Sequence, residues 1–166
     1  MSAFIIRPAK PDDRLAIRAV EARAFGRPDE AELVERLVAD GDAVLELVAE
    51  RAGEILGHLL FSRLQVVTGD WSTPAVSLGP LAVDPAHQGA GIGTALVRDG
   101  HLRLMADGEC LSVVLGEPAY YGRFGYAHGR AAGFESRWHG AALQAFAFDD
   151  APQTGRLVWP RAFDAI

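Results

Sequence analysis

The sequence is poor in the cysteines that stabilise secreted proteins and in the long apolar runs that span membranes. Its 166 residues include one cysteine, Cys110, so no disulfide can form within the chain. This usage is typical of a reducing compartment, and we expect a cytoplasmic protein. No apolar run reaches the roughly 18 residues of a membrane-spanning helix, and residues 1–7 lack the apolar core of a signal peptide. A membrane is therefore not an expected partner.

Positive charge is also scarce in this sequence. The formal net charge is −6 at pH 7, whereas nucleic acids and anionic membranes favour a basic surface, so we expect no nucleic-acid partner. The same balance tolerates a cationic substrate such as an amine. The five histidines show no spacing of the His-x-x-x-His kind, and we therefore expect no metal site.

What the sequence does contain is a glycine-rich turn between a strand and a helix. Leu78–Pro85 reads as a strand that ends at a proline, and the segment Gln88–Thr94 follows it. Ala95–Arg98 then opens an amphipathic helix. Such a turn leaves backbone N–H groups unpaired at the positive end of a helix dipole, which predicts a phosphate site. Thr94 either donates to that phosphate or caps the helix.

The spacing of the glycines argues against two common nucleotide motifs. A P-loop needs a lysine after its last glycine, and none follows here. A dinucleotide fold needs Gly-x-Gly-x-x-Gly near the start of a βαβ unit, whereas Gly89, Gly91 and Gly93 alternate in mid-chain. The spacing does match Gln/Arg-x-x-Gly-x-Gly/Ala. A nucleotide-binding domain that holds a different phosphate is kept as an alternative.

That pattern, preceded by Leu-Ala-Val-Asp-Pro at Leu81–Pro85, resembles the acyl-CoA-binding loop of the GCN5-related N-acetyltransferase (GNAT) superfamily. Val113–Tyr121 and Trp159–Phe163 are similar to bacterial predicted acetyltransferases of the YhbS type. The resemblance implies acetyl-CoA as co-substrate and an amine of a small molecule or a protein as acceptor. It also implies a cofactor-binding loop, which consists of Gln88, Gly89, Ala90, Gly91, Ile92, Gly93 and Thr94.

The predicted fold class is α/β, in a mixed α+β form, with one N-acetyltransferase domain over residues 1–166. The predicted order β-α-α-β-β-β-α-β-α-β gives a GNAT-like, mostly antiparallel central sheet with flanking helices. Asp12 or Asp13 is expected to cap the first helix, Leu15–Phe25. Thr68–Pro74 reads as a polar loop. The predicted strands are Ala3–Arg7, Ala43–Glu50, Glu54–Val67, Ala75–Val83, Cys110–Leu115, Gly133–Trp138, Leu143–Phe148 and Gly155–Pro160.

Pro80 predicts an irregularity in the strand before the glycine turn. A proline cannot donate to a strand ladder, and the preceding Gly79 tolerates the dihedrals of a bulge. A bulge would splay this strand from its neighbour and free the polar groups of Leu81, Ala82 and Val83 for an extended ligand, a shape that pantetheine has. The alternative is that Gly79 and Pro80 only bend an edge strand.

Tyr121 is the candidate general acid. The segment Tyr121–Tyr126 is similar to the acetyltransferase pattern Tyr-x-Lys/Arg-x-Gly-Phe/Tyr, in which the tyrosine lies beside the thioester sulfur. A phenol with a pKa near 10 stays protonated at neutral pH and can donate to a departing thiolate. Tyr120, one residue away, is the alternative.

The general base is less well defined by the sequence. Many family members carry a carboxylate a few residues before Leu-Ala-Val, where this chain has Ser77 and Gly79. Glu117 is the candidate, although its position at a helix start also suits a partner of the helix dipole. His58 and a water relay are the alternatives.

Two broader questions stay open at this level. The lack of a base at Ser77 keeps a catalytically silent acyl-CoA sensor as the alternative function. A homodimer is compatible with the sequence, which names neither the acceptor nor the oligomeric state.

Overall fold

The computed structural model describes residues 3–166 as helices packed on one mixed sheet. The helices are α1 (Arg14–Phe25), α2 (Asp29–Ala39), α3 (Ile92–Ala106), α4 (Pro118–Tyr121) and α5 (His128–Ala131). The strands are β1 (Ile5–Pro8), β2 (Ala43–Arg51), β3 (Glu54–Thr68), β4 (Trp71–Val83), β5 (Leu111–Leu115), β6 (Phe134–Glu135), β7 (Leu143–Ala147) and β8 (Gly155–Val158). Short 3-10 turns lie at Pro11–Asp13, Pro85–His87, Gly122–Phe124 and Arg161–Ala165.

The sheet has the strand order β1-β2-β3-β4-β5-β7, and β8 pairs with both β3 and β6. The pairs β1–β2, β3–β8 and β5–β7 are antiparallel. The pairs β4–β5 and β6–β8 are parallel. This mostly antiparallel sheet with flanking helices confirms the predicted fold class.

The chain divides into two compact units. One comprises the chain up to Phe61 together with Pro80–Arg103, and the other comprises Ser62–Gly79 together with Leu104–Ile166. The division runs through β3, β4 and α3, each of which contributes residues to both units. That the whole chain acts as a single domain stays a prediction. Within residues 3–166, no helix combines the length and the apolar character needed to cross a bilayer.

Helix α2 of the first unit forms because its apolar residues share one face. Leu33, Val34 and Leu37 are buried and are spaced as neighbours on a helix surface, while the intervening acidic and basic side chains face outward. Asp29 and Glu30 lie in the first turn, where the helix dipole favours negative charge.

The predicted cap of α1 is wrong. Asp13 occupies the N-cap position, but its side chain makes no cap hydrogen bond, and Asp12 lies one residue further out. The Asp13 carboxylate instead accepts from the Arg7 guanidinium at 2.7 and 3.0 Å and from the Lys10 N–H at 2.7 Å. These charge-assisted contacts hold the pKa of Asp13 below its usual value, with the Arg7 bonds contributing most. Asp13 therefore ties the N-terminal strand to the start of α1.

Helix α3 approaches β3 closely at two glycines of the first unit. A Cβ on Gly57 would lie 2.8 Å from Ile92 Cγ2 and 3.1 Å from Leu96 Cδ1. A Cβ on Gly100 would lie 2.6 Å from Phe61 Cε2, and the Phe61 ring is fully buried and cannot move aside. These contacts fix the position of the helix on the strand.

The core of the first unit also holds a cluster of charged groups, which we call the Glu21 cluster and which consists of Glu21, His58, Glu46 and Arg14. His58 Nδ1 lies 2.6 Å from Glu21 Oε2, and His58 Nε2 lies 2.7 Å from Glu46 Oε2. Arg14 donates to the other Glu46 oxygen. The side chains of Glu21 and His58 are completely buried. Burial alone would lower the pKa of His58, but the two carboxylates outweigh it and raise that pKa.

The second unit corrects several of the strand predictions. The predicted loop Thr68–Pro74 is wrong, because the reversal needs only Gly69–Asp70 and Trp71 already belongs to β4. Of the predicted strand Gly133–Trp138, only Phe134–Glu135 is extended. Trp138 instead packs edge-on against Trp159, at 5.0 Å between ring centroids. The core of this unit is built of buried apolar residues, which are Leu64, Val66, Ala75, Leu111, Val113, Ala131, Phe134, Leu143, Ala145 and Leu157.

The Glu21 cluster should make His58 important for stability. His58 and Arg14 are the two cationic side chains that neutralise the carboxylates of Glu21 and Glu46. His58→Gln removes one of these cations, and breaking a buried ion pair costs about 3–5 kcal/mol. We therefore expect His58→Gln to lower the free energy of unfolding by that amount at pH 6, measured by urea denaturation. His139→Gln is the matched control, because His139 is exposed and a surface substitution changes stability by about 0.5 kcal/mol or less.

The same comparison should depend on pH in a defined direction. A raised pKa in the folded state means that His58 stabilises fully below its unfolded value of about 6.5. This contribution is lost as pH rises through the raised folded value. The deficit of His58→Gln relative to the wild type should therefore shrink on the alkaline side. A deficit that grows with pH would contradict the assignment.

Candidate active site

The turn between β4 and α3 has the geometry that the sequence predicts for an anion site. Gly89 has φ 81° and Gly91 has φ 86°, a region in which a residue with a Cβ is strained. Gln88–Gly91 are exposed, whereas Ile92 is buried and anchors the first helical turn. The first N–H groups of this 15-residue helix have no partner within the helix. The turn therefore presents backbone donors at the positive end of the α3 dipole.

Not every residue of the predicted loop has the role that the glycine pattern suggests. Gly93 is buried in the first turn of α3, so it is helical and does not reverse the chain. The Gln88 side-chain amide donates to the Val83 carbonyl at 3.2 Å and so closes the loop onto the end of β4. Thr94 is half-buried in the first turn. Ala90 is exposed at the tip.

Asp84 fixes the start of this turn. Its N–H donates to the Leu56 carbonyl at 2.8 Å, and its carboxylate accepts from the Ala86 N–H at 3.0 Å. Arg23 of α1 donates to the same carboxylate at 2.7 Å. The Ala86 bond is the main reason that the pKa of Asp84 lies below its usual value. The end of β4 is therefore held to both β3 and α1.

Strand β4 has one residue more than the segment of β3 beside it. Between the Gly69–Asp70 turn and the hydrogen bond that joins Asp84 to Leu56, β4 supplies 13 residues and β3 supplies 12, namely 57–68. One extra residue in one strand of an antiparallel pair is a β-bulge. Gly79, with φ 139°, is the residue of β4 whose backbone suits it.

The ladder between β4 and β5 runs over Val76–Leu78, directly before this bulge. Ser77 is buried in that ladder opposite Val113, so this position of β4 holds a buried hydroxyl and not a carboxylate. Of the three residues after the bulge that are predicted to bind pantetheine, Ala82 is buried, and Leu81 and Val83 are half-buried.

In the second unit, Tyr121 is held by its neighbours in one orientation. Its ring lies over Gly116 so closely that a Cβ there would be 2.3 Å from Tyr121 Cε2. Tyr120 and Tyr126 make edge contacts with it at 5.0 and 6.0 Å between ring centroids. Burial raises the pKa of Tyr121 well above the usual phenol value, so the hydroxyl keeps its proton at neutral pH.

Glu117 and Tyr120 are placed differently from Tyr121. Glu117 is exposed at the N-cap of the four-residue α4, and its side chain makes no cap hydrogen bond. Its carbonyl accepts from the N–H groups of Tyr120 and Tyr121, each at 3.1 Å. The Tyr120 ring lies under the Arg123 guanidinium at 4.9 Å.

Sequence reasoning named His58 but missed the groups that surround it. Glu21 comes from α1, His58 from β3 and Glu46 from β2, so no sequence spacing connects them. A signal was nevertheless present. Glu21 lies four residues after the buried Ile17 and next to Val20, on the apolar face of α1, where a carboxylate needs a buried partner.

A cavity of about 620 Å³ lies in the second unit, near the C-terminus. Its walls include Ser136, Arg137, Arg156, Trp159 and Asp164. None of the residues predicted from the sequence to bind cofactor or to act in catalysis lines it. Within residues 3–166, no group of three or more His, Cys, Asp or Glu side chains is arranged to hold a metal ion.

Comparison with known proteins supports the resemblance stated above. The model of the acetyltransferase (GNAT) domain family matches residues 5–129. The N-acetyltransferase YjhQ of Escherichia coli K12 is 45% identical over 129 residues, which are 74% of this chain and 69% of that protein. The N-acetyltransferase YhbS of the same strain is 36% identical over 138 residues, or 82% and 81% of the two chains.

Two solved structures are similar over nearly the whole chain. The crystal structure of YhbS from Escherichia coli in complex with CoA has a TM-score of 0.91 at 32% identity, covering 99% of this chain and 93% of that one. A GNAT acetyltransferase from Brucella melitensis in complex with acetyl-CoA has a TM-score of 0.83 at 35% identity, covering 98% and 99%. The chain therefore belongs to the GNAT family of N-acetyltransferases.

Proposed function

We propose that this protein transfers an acetyl group from acetyl-CoA directly to a primary amine of a small molecule or a protein. The observation that carries the proposal is the turn at Gly89 and Gly91, whose positive φ angles reverse the chain directly before the N-terminus of α3. A helix N-terminus offers backbone donors and the positive end of the helix dipole to an anion. Both solved relatives described above hold CoA or acetyl-CoA.

The residues of the first unit fit such a co-substrate. Exposed loop residues and a helix N-terminus supply donors and a favourable dipole for the pyrophosphate. We assign Leu81, Ala82 and Val83 to the pantetheine arm, because the bulge at Gly79 releases the strand from a regular ladder just before them. Their N–H groups would also stabilise the charge that develops on the thioester oxygen.

Tyr121 is proposed as the general acid for the leaving thiolate. Burial holds its proton at neutral pH, and the contact with Gly116 fixes the ring. A positioned general acid contributes on the order of 10²–10⁴ in rate. Glu117, exposed at the start of α4, stays the sequence-based prediction for the base.

The first test is turnover. Acetyl-CoA should release free thiol in the presence of some member of a panel of small amines and lysine peptides. Calorimetry should show binding of CoA but not of NAD or ATP. Tight CoA binding without product from any amine would favour the sensor alternative, and selective binding of NAD or ATP would exclude the acetyltransferase proposal.

Gly91→Val should weaken acetyl-CoA binding. Any side chain at φ 86° is strained, and a β-branched one most of all, so the turn must change course and misdirect its N–H groups. Strain of about 1–3 kcal/mol corresponds to a loss of affinity of roughly 5- to 150-fold in calorimetry. Gly140→Val is the matched control, because its Cβ would meet no atom within 4 Å and its backbone lies outside the strained region. Equal affinities in the two variants would contradict the site.

Tyr121→Phe should lower kcat while leaving the affinity for acetyl-CoA unchanged. The substitution removes the donated proton and keeps the ring that packs on Gly116. We expect a loss on the order of 10²-fold or more in thiol release at pH 7. Tyr120→Phe is the control, and a larger loss in Tyr120→Phe than in Tyr121→Phe would reverse the assignment.

A further inference from the structure

The number of protons held by the Glu21 cluster follows from the distances between its atoms. Both ring nitrogens of His58 lie within 2.7 Å of a carboxylate oxygen. Each of these contacts needs a proton between its atoms, since a carboxylate only accepts. Glu21, His58 and Glu46 therefore share two protons and carry a net charge of −1, which the neighbouring Arg14 guanidinium balances. The cluster can accept one further proton.

The structure also shows where that proton can go. Glu46 uses both of its oxygens, one toward His58 and the other toward Arg14. Glu21 uses only Oε2, and its Oε1 is buried with no hydrogen-bond partner in the described chain. A buried carboxylate oxygen without a donor is costly, and it has lone pairs ready for a donor small enough to reach it. One water molecule meets that requirement.

The cluster lies beside the strand that is assigned to the acyl group. The hydrogen bond from Asp84 N–H to Leu56 C=O fixes the register of β3 against the end of β4. Counting two residues along each strand from that bond places His58 opposite Ala82, and opposed residues of an antiparallel pair project to the same face. Helix α1 contributes Glu21, which contacts His58, and Arg23, which donates to the Asp84 carboxylate. All of these residues belong to the first unit.

We propose that Glu21 Oε1 is the general base that takes the proton of the acceptor amine through one water molecule, with His58 and Glu46 as positioning residues. This inference rests on the proposed acetyltransferase function. It assigns the role to a residue that the sequence did not suggest, in place of Glu117.

The chemistry balances without any further reactant. The acceptor ammonium gives one proton to the bridging water, which passes one of its own protons to Glu21 Oε1, and the freed lone pair of the nitrogen forms a C–N bond to the thioester carbonyl carbon. The C–S bond breaks, and the thiolate leaves with its electron pair and takes a proton from Tyr121. The amide nitrogen then loses its second proton to solvent, and Glu21 and Tyr121 return to their starting states by exchange with solvent.

The charges around Glu21 suit a base for an ammonium ion. Burial is the main reason that its pKa is raised, and Glu46 of β2 and Glu30 of α2 raise it further by repulsion. His58 of β3 acts in the opposite direction by donating to Oε2, and Arg14 of α1 is turned toward Glu46. Raising a carboxylate pKa toward that of the amine makes the proton transfer less uphill.

The decisive experiment is the pH profile of Glu21→Gln. The variant keeps the shape of the side chain and can still accept from His58, but it cannot take a proton at Oε1. At pH 7 we expect kcat/KM to fall on the order of 10²–10⁴-fold. Without the base, only the fraction of acceptor amine that is already deprotonated can react. The kcat/KM of the variant should therefore rise about tenfold per pH unit up to the amine pKa of about 10. The wild type should level off at lower pH.

The competing assignments have their own variants. Glu117→Gln tests the base that the sequence predicts: a loss of the low-pH limb in Glu117→Gln and not in Glu21→Gln would overturn the proposal. Glu35→Gln controls for the change itself, since Glu35 is exposed on α2 and pairs with Arg18. Parallel profiles for Glu21→Gln and the wild type would assign the cluster a purely structural role and contradict the proposal.

Stability and binding separate this inference from the function on which it rests. Glu21→Gln should keep cooperative thermal unfolding and should bind acetyl-CoA within about threefold of the wild type, because only the proton transfer is removed. If Glu21→Gln does not fold, Glu46→Gln replaces it. A shift of the low-pH limb then supports the proposal, and an unmoved limb overturns it.

Absence of turnover in the wild type with every amine would refute the acetyltransferase proposal itself, whereas turnover with an unchanged Glu21→Gln profile would refute only the assignment of Glu21 as the base.

Discussion

The position of the glycine turn between β4 and α3 depends on the close contact between α3 and β3. At Gly57 a side chain would collide with Ile92, so the helix and the strand meet at a distance that only glycine permits. Ile92 is the first residue of α3, and this contact therefore sets where the helix begins and the direction of its N-terminus. Gly89 and Gly91 need only reverse the chain ahead of a helix that is already held in place.

Local patterns predicted the parts of the fold that local rules control. The strand, glycine turn and helix around Gln88–Thr94 could be read because each step depends on residues that are adjacent in sequence. The Thr68–Pro74 segment could not be read in the same way. Its polar composition is typical of a loop, but cross-strand pairing extends β4 back to Trp71 and leaves a turn of two residues. Asp13 failed as a cap for a similar reason, since Arg7 binds its carboxylate.

The residues of the candidate site also differ in whether local sequence patterns could predict them. Gly91 and Tyr121 were predicted because their motifs are contiguous, and the structure adds physical reasons in the φ of Gly91 and in the contact of Tyr121 with Gly116. The partners of His58 were missed because they come from two other elements of the chain. Sequence spacing carries no information about such long-range pairs, and only a buried-face carboxylate such as Glu21 signals that a partner must exist.

Packing alone does not account for the Glu21 cluster. Apolar residues of similar volume would fill the space without the desolvation of two carboxylates, and such replacements are often neutral or stabilising. A group that must exchange protons with a substrate has a different requirement, because its proton affinity has to approach that of an amine. Burial meets this requirement for Glu21 by destabilising the carboxylate, and for Tyr121 by destabilising the phenolate. Desolvation thus acts in the same direction on both groups: it raises the proton affinity of Glu21, the proposed base, and it lets Tyr121, the proposed acid, keep its proton until a thiolate departs.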